Sequence, residues 1–125
     1  MQILDRNLTA LRRADPALAE AVAHCTLGPD LEVRGARSGA ISLCVGGRLE
    51  CSLENPLAEA RELAQHFLAR AHEVGARRLV VFGLGVHTLP LLASFEGELL
   101  VIEPRLDVVR AVLEHVDVSG ALARV

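Results

Sequence analysis

Lysine does not occur in this chain of 125 residues; all 13 of its basic residues are arginine. A phosphate-binding P-loop lysine, a Schiff-base lysine and a Ser-Lys pair are therefore excluded. Recognition of carboxylate or phosphate falls to the planar guanidinium instead; the arginine codon preference of a GC-rich genome is the simplest cause of the bias, and the exclusion stands either way. Tryptophan and tyrosine are absent and phenylalanine occurs three times. That scarcity argues against proteins that stack nucleic-acid bases on aromatic platforms. Net charge is −3, so no global basic field draws in a phosphate backbone or an acidic membrane surface. No nucleic-acid or membrane partner is expected.

Cysteine is also sparse. Cys25, Cys44 and Cys51 form no CxxC pair and no zinc-finger spacing with histidine. Reduced thiols, and hence a cytoplasmic location, are the expectation. No apolar run approaches the ~18 residues that span a bilayer, and the first residues have no signal-peptide layout. No metal site is expected: His66 and His72 lie six apart on one predicted helix, not at the i, i+4 spacing of a two-histidine zinc site.

What is present is an aliphatic, globular composition, 51% hydrophobic and 23% charged. The length suits about one domain of roughly 100–200 residues. Leu4, Leu8 and Leu11 recur at helical spacing, and Asp15-Pro16 restarts the helix as N-cap and first helical residue. Gly28-Pro29-Asp30 stops it. Leu31, Val33, Ile41, Leu43 and Val45 then alternate with polar or small residues. Gly46-Gly47 parts this run from the next, Arg48–Leu53. Two glycines between alternating runs predict a tight hairpin, placing Val45 opposite Arg48 and Cys44 opposite Leu49. Arg37-Ser38-Gly39 is a second turn, giving a three-stranded antiparallel meander.

Asn55-Pro56 opens a long helix with Leu57, Ala60, Leu63, Ala64, Phe67, Leu68, Ala71 and Val74 as its apolar stripe, closed by Gly75. Arg78–Phe82 and Leu99–Ile102 are continuous apolar runs, as in parallel strands covered on both faces. Between them lie Gly83-Leu84-Gly85 and a short helix from His87 to Ser94. Leu106–Val116 forms the last helix, with Val108, Val109, Val112 and Leu113 inward. Ala121–Val125 stands where a third parallel strand could begin.

This order predicts an α/β fold: a Rossmann-like partial parallel sheet, preceded by N-terminal helices and a small antiparallel meander. The boundary falls between residues 1–54 and 55–125. Two parallel strands leave an open edge, so the chain is expected to be part of a larger chain or a homo-oligomer.

The candidate site follows from the same order. Gly83 and Gly85 sit between strand and helix, where missing Cβ atoms let an anionic ligand approach backbone N–H groups. His87 and Thr88 follow, Thr88 standing where GxGxxG has its third glycine. Glu103 lies 18 residues beyond Gly85, at the end of the next strand, where an acid can accept from ribose hydroxyls. Dinucleotide and S-adenosylmethionine folds share this pairing. A bare tight turn with a strand-end acid braced by Pro104 explains the same residues. No catalytic set can be assembled, and no cofactor is specified.

Ser52-Leu53-Glu54-Asn55-Pro56-Leu57-Ala58-Glu59-Ala60, Phe82-Gly83-Leu84-Gly85-Val86-His87 and Val101-Ile102-Glu103-Pro104 together resemble a known set. It is the amino-terminal region of the motility-associated factor proteins, flagellin glycosyltransferase-like proteins related to the archaeal 6-hydroxymethylpterin diphosphokinase group. The match runs over about residues 33–117, with Val86 where the family has tyrosine. The resemblance implies the amino-terminal Rossmann-like domain of a glycosyltransferase-like protein. Gly83, Gly85, His87 and Glu103 carry over as motif positions of that family, without a settled role there; binding of a nucleotide-type small molecule or nucleotide sugar at these residues and Thr88 is the expectation from the glycine turn itself. The domain is not catalytic alone, because the family's transferase chemistry resides in a later domain. An S-adenosylmethionine-dependent methyltransferase-like domain and a ligand-free interaction domain are the alternatives.

Overall fold

A computed structural model describes residues 2–49 and 53–122. The chain divides into two compact units. One is helical and joins the segment up to Pro29 with the segment from Arg105; the other, Asp30–Pro104, holds both sheets. The boundary expected after residue 54 lies inside the second unit. There the Arg37 and Ser38 N–H groups donate to the Leu53 and Glu54 carbonyls at 2.8 and 3.3 Å, tying the meander to the approach of the long helix.

The helical unit comprises α1 (Ile3–Ala14), α2 (Pro16–His24), α5 (Leu106–His115) and α6 (Ser119–Leu122). Asp15 caps α2 by accepting from the Leu18 N–H at 3.0 Å, which satisfies one orphan donor of the first turn. Leu8, Leu11, Ala19, Val22 and Leu113 form the core. Polar groups bind this unit as well. Asn7 is fully buried; its Nδ2 donates to the Leu113 and Val116 carbonyls at 2.9 and 2.7 Å, and its Oδ1 accepts from the Val118 N–H at 3.0 Å. It thereby caps the last carbonyls of α5 and fixes the turn into α6. Arg110 donates to the Val22 and Ala23 carbonyls at 3.0 and 2.8 Å, closing the end of α2. Asp107 accepts from Arg105 and from the Gly28 N–H. Hydrogen bonding from Arg105, helped by Gly28 and by the positive charge, holds its carboxyl down at about 2 against the desolvation that would raise it.

In the second unit, β1 (Leu31–Gly35), β2 (Ile41–Val45) and β3 (Arg48–Leu49) form an antiparallel sheet in the order β1-β2-β3. Gly46 and Gly47 both take positive φ, 59° and 81°, as a tight hairpin of this twist requires. Cys44 pairs with Leu49 and Val45 with Arg48, the register expected from the glycines. Ser42, Leu43 and Cys44 are all buried, because β2 is the central strand. The rest of the expected third strand, including Cys51, lies partly outside the described residues, as does Ser52.

α3 (Pro56–Val74) begins where Asn55 accepts from the Ala58 N–H at 3.2 Å and ends at Gly75 in the left-handed region. The Ala76 N–H reaches back to the Ala71 carbonyl at 2.8 Å, the 6→1 bond of a Schellman ending. The apolar stripe expected on this helix is buried only in part. Ala60, Ala64 and Ala71 are covered, on a helix that packs against α4 and the turn before it, whereas Leu63, Phe67 and Val74 are exposed.

β4 (Arg78–Phe82) and β5 (Glu98–Ile102) pair in parallel, Arg78 opposite Glu98 through Phe82 opposite Ile102. Between them run a 3-10 turn, Val86–Thr88, and α4 (Leu89–Ser94). Two expectations are corrected here. The strands are not covered on both faces: Val80, Phe82, Leu100 and Ile102, which alternation places on one face, are all exposed. Nor does Ala121 open a third strand, since Ala121 and Leu122 close α6; residues 123–125 lie outside the described part. Among the described residues no helix is long and apolar enough to cross a membrane.

Candidate functional site

The five residues singled out from the sequence share one corner of the second unit, at the carboxyl ends of β4 and β5. The chain leaves β4 through Gly83, whose φ of +91° only glycine adopts at low cost. Its N–H donates to the Ile102 carbonyl at 2.8 Å, extending the parallel ladder past Phe82. The Leu84 N–H donates to Glu103 Oε1 at 3.1 Å. Glu103 thus leans across from the end of β5 onto the glycine turn, half-buried.

Gly85 is buried and extended, with φ −174°. Its backbone is one that any residue adopts, so the conformational need for glycine lies at Gly83. Thr88 closes the turn. Its hydroxyl donates to the Gly85 carbonyl at 2.7 Å and accepts from the Gly85 N–H at 3.1 Å, while its own N–H also donates to that carbonyl. The fully buried hydroxyl therefore stands in for a ladder partner. A third glycine at this position would leave the Gly85 N–H without that acceptor. His87 is half-buried, with its Nε2 3.6 Å from where a Cβ on Gly83 would lie. Its ring covers the open side of that glycine.

Three successive N–H groups, of Gly83, Leu84 and Gly85, are thus paired within the protein. A ligand at this corner meets the Glu103 carboxylate and the His87 ring rather than an open cradle of amides. Beside the corner an apolar groove of about 420 Å³ runs between α3 and β4, with Phe67, Val74, Val80, Phe82, His87 and Leu91 among its walls. Its volume falls within the ~300–1,000 Å³ typical of small-molecule clefts. His87 belongs to both the turn and the groove.

The five residues singled out from the sequence lie together at this corner. Sequence reasoning missed the groove, because Phe67 and Val74 follow a helical stripe and read as core. Among the described residues no three His, Cys, Asp or Glu side chains are grouped as a metal ion would need. Comparison with family models, with curated proteins and with solved structures finds no match.

Proposed function

We propose that this chain is a Rossmann-like module that binds a nucleotide-type ligand at the carboxyl ends of β4 and β5 without transforming it. The observation that carries the reading is the contact between Glu103 and the glycine turn, from the Leu84 N–H at 3.1 Å. It holds a strand-end carboxylate over a strand-to-helix turn, the place where nucleoside-binding α/β folds grip a ribose. The apolar groove, bounded beside the turn by His87 and Leu91, offers a ligand ring a wall. In a longer polypeptide such a module would take the place of the amino-terminal domain of a glycosyltransferase-like protein, with the reacting groups supplied elsewhere.

Calorimetric titration with a nucleotide, a nucleotide sugar and S-adenosylmethionine tests this. Glu103→Gln keeps an oxygen for the Leu84 N–H but removes the charge, so it should weaken a ribose-containing ligand by about 1–3 kcal/mol. Unchanged affinity in that variant refutes the site. A second reading, a ligand-free interaction module, is favoured by the internal pairing of the three turn amides. The absence of heat with all three compounds supports it.

A further inference from the structure

The parallel pair β4–β5 presents one face as three rows of two residues. In-register pairing sets Arg78 beside Glu98, Val80 beside Leu100 and Phe82 beside Ile102. The first row is an ion pair, with Arg78 Nη2 at 2.8 Å from Glu98 Oε2. The other two rows are apolar and open to solvent: Val80 is 50% exposed, Phe82 77%, Leu100 48% and Ile102 39%. Parallel strands ordinarily carry a covering layer on each face. Scattered exposed apolar residues need no explanation, but a contiguous block of four on a strand pair does.

We infer that this face seats the same face of a second copy of the chain, about a two-fold axis parallel to the strands. Charge argues for a copy of itself over a different partner. One Arg and one Glu in the end row favour neither an acidic nor a basic partner, yet the row is complementary to itself. Rotation about an axis along the strands lays β4 of one copy over β5 of the other. Each Arg78 then meets a Glu98 across the interface, Val80 meets Leu100, and Phe82 meets Ile102. An axis across the strands would instead set Arg78 over Phe82 and bury a charge against a ring, which is costly. From their exposures the six residues offer at most roughly 600 Å² per copy, so their complete coverage buries about 1,200 Å² in all, which reaches the lower bound of specific interfaces. Such contacts are isologous and close on themselves, giving a dimer rather than a filament.

The test is sedimentation with interference optics, since the chain has no Trp or Tyr for ultraviolet detection. Wild type should sediment at twice the mass of one chain. Phe82→Asp, at a position exposed enough to leave folding intact, should sediment as a monomer. Arg78→Glu and Glu98→Arg should each raise the dissociation constant at least roughly tenfold, because like charges then face each other across the axis. An equimolar mixture of these two variants should recover the dimer as a heterodimer, since one carries two acids and the other two guanidinium groups at the facing row. The inference is overturned if wild type is monomeric, if Phe82→Asp remains a dimer, or if the mixture associates no better than either variant alone.

Discussion

Replacing Asn7 with alanine removes a buried side chain that serves three backbone groups at once. Nδ2 donates to the Leu113 and Val116 carbonyls and Oδ1 accepts from the Val118 N–H. With all three bonds gone, two carbonyls and one N–H lose their partners at the junction of α5 and α6. Each unmet buried group costs about 1–3 kcal/mol. Removing the amide recovers its own desolvation cost, and water entering the vacated space satisfies part of the deficit. A net loss of about 3 kcal/mol follows, a large share of the ~5–15 kcal/mol that holds a domain together. Urea unfolding followed by far-ultraviolet circular dichroism should show a lower midpoint with an unchanged slope. Asn7→Asp sharpens the test. At neutral pH its carboxylate keeps the acceptor for Val118 but faces two carbonyl oxygens where Asn7 had donors, so it should be less stable than Asn7→Ala. Burial against two carbonyl oxygens raises the folded pKa of that carboxyl, so its deficit should shrink as pH falls from neutral toward about 4, where the protonated carboxyl regains one donor in the folded state. A midpoint for Asn7→Ala equal to wild type, or an Asn7→Asp variant as stable as wild type, refutes the capping role.

Arg110→Met should cost about 2 kcal/mol in the same assay, through the two freed carbonyls at the end of α2. Gly83→Ala should cost about 1–2 kcal/mol because its φ of +91° strains any Cβ-bearing residue. Gly75→Ala should cost about 1 kcal/mol for the left-handed end of α3. Asp107 has a folded pKa of about 2 against 3.8 ordinarily. A depressed carboxylate pKa adds stability above the unfolded value and loses it as pH falls from about 4 through 2. Most of the shift is a near-surface ion-pair effect, so about 1 kcal/mol is at stake. Asp107→Asn should flatten the acid limb of the stability curve between those pH values, and a limb identical to wild type contradicts the assignment.

Local structure was legible wherever backbone chemistry dictates it. Asp15-Pro16, Asn55-Pro56, Gly46-Gly47 and Gly75 are punctuation with one inexpensive conformation each, and each stands where expected. The burial of long apolar stretches was not legible. Periodicity shows which residues share a face, not whether anything covers it, so Phe67 and Val74 read as core and Val80 and Phe82 as doubly covered. The return of the chain at Arg105 to the helices of the first unit was hidden for another reason. It depends on Asn7 and Arg110 reaching carbonyls 106 and 88 positions away, and a single polar residue in a helix carries no sign of so distant a partner. At the candidate site the sequence order brought five residues to one corner, but the part each plays in the turn was not legible. Thr88 read as a lost glycine, and it is the acceptor and donor that closes the turn.

The nucleotide reading is tested most directly by the backbone amide resonances of the ¹⁵N-labelled chain, titrated with a nucleotide, a nucleotide sugar and S-adenosylmethionine to about 1 mM, where even weak complexes with −4 kcal/mol of affinity register. The account predicts saturable shifts confined to Gly83–Thr88, Glu103 and the groove residues beside His87, and weaker binding in Glu103→Gln. Spectra unmoved by all three compounds, or saturable shifts that leave the Leu84 and Glu103 amides in place, contradict it.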